Sequence, residues 1–165
     1  SNSPMPASLD PQYRRDPETG RWVPLAPVRS QRPITLAYNK PHTRDRGGRH
    51  GCPLCEGQEA HTPRELHAVR DPDSPADGPG WRLRVVPNKY PAVHPIGEPQ
   101  FAAHGELFDS LPGFGEHELV VECPDHEVSP TALTDGELTL VLTAYRERLL
   151  ALAGNPLYQY ATVFK

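Results

Sequence analysis

The sequence is poor in apolar residues, has only three cysteines, and shows no surplus of positive charge. Each shortage removes a class of protein. Apolar residues make up 36% of the 165 residues, below the roughly 45–50% of an average globular domain. No apolar run reaches the 18 or so residues of a membrane-spanning helix, and no apolar stretch behind the N-terminus reads as a secretory signal. A net charge of −4 and a pI near 6.0 argue against a generic nucleic-acid binder, which carries a basic excess. They leave room for a local basic pocket that takes a phosphorylated small molecule. Three cysteines cannot pair evenly, and without an export signal a reduced, cytoplasmic compartment is expected. The length suits one domain with a real core.

Proline is abundant: 21 residues, about 13% where about 5% is usual. The prolines punctuate the first 130 residues and then almost stop, so the chain reads as short strands tied by long loops, followed by a helix. Residues 1–20 form a polar, proline-rich arm, and 21–165 the domain proper. Trp22-Val23 begins strand-like and leads into the basic turn "VRSQRP". The stretch 44–50, "RDRGGRH", is expected to be mobile. In "WRLRVVP" (81–87), Trp81, Leu83 and Val85 alternate with Arg82 and Arg84, the period of a half-buried strand. A second strand is expected over Glu118–Cys123, stopped by Pro124. Thr134-Asp135-Gly136-Glu137 has the form of a capping box. Behind it Leu138, Val141, Leu142, Tyr145, Leu149 and Leu152 recur at helical spacing, and Gly154-Asn155-Pro156 ends the helix. The closing "LYQYATVFK" (157–165) reads as a strand. The order of elements predicts an α+β fold, a mainly antiparallel sheet with one main helix packed on a face.

Cys52-Pro53-Leu54-Cys55 raises the question of a metal. A lone Cys-x-x-Cys also fits a redox pair or two incidental thiols. The redox reading wants the pair at a helix N-terminus, whereas here Pro- and Gly-rich loop surrounds it and suits a metal knuckle. Zinc takes four ligands, commonly thiolate and imidazole. Of the eight histidines, His117 and His126 lie beside a well-defined strand end. His126 follows Pro124, where a turn can swing a side chain back; His117 opens the strand.

Four segments in order, "RRDPETGRWVPLAPVRSQRP", "CPLCEGQEAHTP", "WRLRVVPNKYPAV" and "GFGEHELVVECPDHE" with "ATVFK" behind it, are similar to the N-terminal half of the galactose-1-phosphate uridylyltransferase family, within the histidine-triad superfamily. The match spans residues 13–165. It implies a histidine-triad-like fold and zinc held by Cys52, Cys55 and His126, with a fourth histidine ligand and the nucleophilic histidine of a His-x-His motif expected beyond Lys165. The family reaction transfers a uridylyl group from UDP-glucose to galactose 1-phosphate through a covalent histidine intermediate, so the implied partners are a nucleotide sugar, a hexose 1-phosphate and a second copy of the chain in a homodimer. The resemblance also implies substrate-binding roles. Arg29 and Arg32 match the family's phosphate-contacting turn, where a planar guanidinium can hold a phosphate with two hydrogen bonds. Asn88 matches an asparagine at a strand end. Lys89 stands where some members carry an aspartate facing the ribose; lysine cannot accept from ribose hydroxyls, though it can reach a phosphate. On this reading the chain lacks its nucleophile and is inactive alone. Two alternatives are an adenine-nucleotide phosphorylase or adenylyltransferase of the same superfamily, and a non-catalytic zinc-bearing interaction module.

Overall fold

A computed structural model describes residues 10–32, 52–96, 102–104, 108–126 and 128–165. The first nine residues of the expected arm and the stretch 44–50 lie outside the described residues. The chain divides into two compact units, one from residues 1–35 and 90–117, the other from 36–89 and 118–165.

The first unit is a four-stranded antiparallel sheet in the order β2-β1-β6-β5. Its strands are β1 (Gln12–Arg15), β2 (Trp22–Leu25), β5 (Ala102–His104) and β6 (Phe108–Pro112). β1 and β2 pair from Gln12↔Leu25 to Arg15↔Trp22. Their tight connection is closed by Asp16, whose carboxylate accepts from Glu18 N–H and Thr19 Oγ1–H. A 3-10 turn, Pro27–Gln31, follows β2.

The second unit holds the main core. Strands β3 (His67–Arg70), β4 (Trp81–Pro87) and β7 (Glu118–Val121) pair antiparallel in the order β3-β4-β7, with helix α1 (Asp135–Ala153) against them. Leu83, Val85, Val141 and Ala144 are the buried centre, with Val69, Val120, Leu133, Leu140 and Tyr145 packed around it. The expected α+β fold with antiparallel pairing and one main helix is what the chain adopts; its strands are shared between two sheets.

The helix begins as its sequence dictates. Thr134 caps it by accepting from Glu137 N–H, and the Glu137 carboxylate accepts from Thr134 N–H at 2.7 Å, satisfying amides that have no partner inside the helix. Gly154 closes it. The buried face differs from the expected stripe. Leu138, Leu142 and Leu149 are exposed, while Ala144 is buried. The face turned to the sheet runs through Leu140, Val141, Ala144, Tyr145 and Arg148. Arg148 is tolerated there because Glu118 of β7 holds its guanidinium with two bonds of 2.7 and 2.8 Å.

Two further expectations are corrected. Arg84 is 1% exposed, not on a solvent face as the alternation in β4 suggested. Its Nε donates to Glu65 at 3.0 Å, its other nitrogens lie near Thr62 and Asp77, and it sits over the Trp81 ring. A paired, hydrogen-bonded guanidinium can be buried where a bare one cannot. Residues 158–165 carry no strand. Tyr160 and Phe164 are largely exposed, so little burial rewards an extended pairing, and Lys165 is held instead by an ion pair to Glu122.

Candidate metal centre

The knuckle is a short turn. Cys55 N–H donates to the Cys52 carbonyl at 3.3 Å and Gln58 N–H to the Cys55 carbonyl at 3.1 Å, which places both thiols on one side. Gly57 allows the turn, since its φ of +86° is a left-handed conformation that a side chain rarely adopts. A single 3-10 turn, Glu59–His61, follows and leads toward β3. From the other end of the unit, β7 stops at Val121, and Cys123-Pro124-Asp125 turn the chain so that His126 meets the knuckle. Cys55 Sγ and His126 Nδ1 are 3.1 Å apart.

The donor atoms of Cys52, Cys55 and His126 all lie within 4.8 Å of one another. Zinc bonded to sulfur at about 2.3 Å and nitrogen at about 2.0–2.1 Å puts tetrahedral ligand atoms about 3.5–3.8 Å apart, so the cluster has the right size. Two soft thiolates and an imidazole suit Zn²⁺ better than a hard, oxygen-seeking ion. Burial favours the site further: Cys55 is buried, and Cys52 and His126 are half-buried. None of the three cysteines is in a disulfide.

The other candidate, His117, belongs to the first unit. Its Nδ1 accepts from Ala92 N–H at 2.8 Å. Burial, followed by the nearby positive charges of Arg29 and Arg32, holds its pKa below 6.5, the usual imidazole value. Of the expected substrate residues, Arg29 lies on the 3-10 turn and donates to the Tyr90 carbonyl at 3.1 Å, while Arg32 is exposed just past it. Asn88 and Lys89 follow the last residue of β4, Asn88 half-buried and Lys89 exposed. The neighbourhood of His117 with Arg29 and Arg32 has no signal in the sequence, where more than 80 residues separate them.

No protein-family model matches the chain. Among curated proteins the chain is similar to the ADP-glucose phosphorylase of Arabidopsis thaliana, at 34% identity over 157 residues, 94% of this chain and 43% of that enzyme. The crystal structure of an ADP-glucose phosphorylase from Arabidopsis thaliana with bound ADP-glucose matches with a TM-score of 0.52 and 29% identity, over 91% of this chain and 40% of the other. The structure of a uridylyltransferase matches with a TM-score of 0.51 and 26% identity, over 85% of this chain and 34% of the other. The chain therefore spans less than half the length of the relatives it matches. These likenesses support a place in the histidine-triad-like superfamily of uridylyltransferases and their phosphorylase relatives.

Proposed function

We infer that the chain is the zinc-bearing, phosphate-binding part of an enzyme that moves a nucleotidyl group from a nucleoside-diphosphate hexose to a phosphate acceptor, with ADP-glucose as the donor and inorganic phosphate as the acceptor. The observation that carries this reading is the likeness to an ADP-glucose phosphorylase along 94% of the chain. In the reaction the bond from the nucleotide's α-phosphorus to the bridging oxygen breaks, glucose 1-phosphate leaves, and phosphate takes the adenylyl group to give ADP. The covalent step would fall to a nucleophilic histidine, as the family resemblance implies.

This chain's residues bind and orient. Arg29 and Arg32 would neutralise the non-bridging oxygens, where phosphoryl transfer needs charge and positioning more than covalent help. Asn88 would donate to a phosphate or ribose oxygen, and Lys89 would add positive charge on the phosphate side. Zinc on Cys52, Cys55 and His126 would serve structurally, tying the knuckle to the end of β7. A dimer would let the Arg29–Arg32 turn of one copy serve the other.

A second reading keeps the fold and changes the base and acceptor: uridylyl transfer between UDP-glucose and galactose 1-phosphate. The likeness to a uridylyltransferase structure favours it. Competition binding of ADP-glucose and UDP-glucose to the purified chain separates the two, with release of glucose 1-phosphate by the protein that carries this chain as the catalytic arm. Tighter ADP-glucose binding and phosphate-dependent release are expected. Tighter UDP-glucose binding, with release that depends on galactose 1-phosphate, would overturn the adenine reading.

A further inference from the structure

Two carboxylates stand directly behind the thiols, and both are used. Glu56 Oε1 accepts from Gly80 N–H at 2.7 Å. Glu59 Oε1 accepts from Trp81 Nε1–H at 2.7 Å and from Gly57 N–H at 3.0 Å. Gly80 and Trp81 are consecutive residues at the start of β4, the central strand of the second unit. The knuckle is thus pinned at two adjacent points to the best-buried strand of the unit.

Glu59 is 6% exposed, Trp81 2% and Arg84 1%. Burying a carboxylate is costly unless it is hydrogen-bonded. Burial acts to raise the pKa of Glu59, but the bonds from Trp81 and Gly57, with a smaller contribution from Arg84, outweigh it and hold the group below its ordinary value. The acceptor oxygen therefore stays charged at neutral pH, in contact with the knuckle's own backbone. Gly57 is the residue whose left-handed φ completes the turn after Cys55. Fixing its amide fixes the direction in which Cys55 Sγ leaves the turn toward His126. Replacing Gly80 would be strained too, at φ +89° and with a Cβ 2.6 Å from Ser74 Cβ.

We propose that Glu59, seconded by Glu56, is a positioning residue for the metal centre: it clamps the cysteine knuckle to the start of β4 so that the two thiols meet His126 in binding geometry before any metal arrives. The proposal rests on the metal reading of Cys52, Cys55 and His126. Preorganisation of ligands by groups behind them typically changes metal affinity by about 10–100-fold. It also makes Trp81 a built-in reporter, because its indole N–H shares one oxygen with the knuckle.

The test is zinc affinity by chelator competition on the purified chain, with Trp81 emission followed in a Trp22→Phe background and Co²⁺ absorption as a view of ligand geometry. Wild type is expected to bind zinc and to shift its Trp81 emission on binding. Glu59→Ala should lose roughly tenfold or more in affinity and uncouple the emission from the metal. Glu59→Gln keeps the acceptor oxygen and should stay close to wild type; a Gln variant as weak as the Ala variant would overturn the hydrogen-bond account. If Glu59→Ala fails to fold by circular dichroism, Glu56→Ala decides, with weakened zinc binding supporting the clamp and unchanged binding overturning it. Normal affinity and cobalt spectrum in folded Glu59→Ala would overturn the clamp and leave the metal centre standing. Absence of zinc binding in wild type would overturn both.

Discussion

Cys55 Sγ and His126 Nδ1 stand 3.1 Å apart although 71 residues separate them in sequence. Neither the knuckle nor the histidine could hold this geometry alone. The knuckle needs Gly57 and its two glutamate anchors, and His126 needs the stop at Val121 and the turn at Pro124. Convergence of two separate loops on one point, with two thiols and an imidazole, is an arrangement that can hold a metal ion.

Metal content should follow this convergence. Purified chain is expected to carry about one zinc per molecule in a zinc-replete medium, and His126→Ala should lose most of it under mild chelation. His117→Ala should keep its zinc, since that imidazole is engaged with Ala92 in the other unit. Elemental analysis before and after dialysis against chelator reads both. Zinc lost from His117→Ala and retained by His126→Ala would reverse the assignment.

Arg84 should be among the costliest single residues to remove. Its guanidinium is buried and paired with the nearly buried Glu65, with the part-exposed Asp77 at 3.6 Å, and truncating it leaves uncompensated charge behind. Such losses run at about 3–5 kcal/mol, and Arg84→Ala is expected near the lower end because Arg70 still pairs with Glu65. Urea unfolding of the wild-type and Arg84→Ala chains measures it. A cost below about 1 kcal/mol, the range of an exposed pair, would mean the network is solvated.

The capping box offers a smaller, local effect. Thr134→Ala removes the acceptor for Glu137 N–H and should cost about 1 kcal/mol. Thr134→Asp, which preserves an acceptor, should restore most of it. Thermal unfolding of the two variants side by side checks the pair.

The cap was readable because both its partners lie within four residues. β4 is readable in place, with Pro87 marking its end, but the burial of Arg84 is not: the partners Glu65 and Asp77 sit in loops whose return to β4 only the fold reveals. The face of α1 was misjudged for a related reason. The expected stripe holds at Val141 and Tyr145 but not at Leu138, Leu142 and Leu149, because the Arg148–Glu118 pair and the small Ala144 complete the face turned to the sheet. Period-based reading rewards apolarity and cannot see a charge neutralised from 30 residues away. The Cys52–Cys55–His126 cluster shows the opposite case: spacing marks a thiol pair that fits a metal knuckle and leaves a third ligand between His117 and His126, and the family resemblance implies His126. The structure brings together that same set of three. For Glu56 and Glu59 the signal in the sequence is their place, two carboxylates immediately behind a thiol pair.

His117 gives the chain a pH dependence whose sign is fixed by its surroundings. Burial, then Arg29 and Arg32, depress its folded-state pKa below the 6.5 of a free imidazole. Between the folded and unfolded values the unfolded chain binds more protons, so stability rises with pH there. The contribution is fully present above about pH 6.5 and is lost as the pH falls through the folded pKa, where protonated Nδ1 can no longer accept from Ala92 N–H. Denaturant unfolding of wild type and His117→Gln over about pH 7 to 5, with chelator present to silence the metal centre, is expected to show a steeper acid loss in wild type. The glutamine cannot titrate, so its curve should keep only the slope of the chain's other titratable groups. Parallel curves for the two proteins would show that the imidazole is not held neutral by this site.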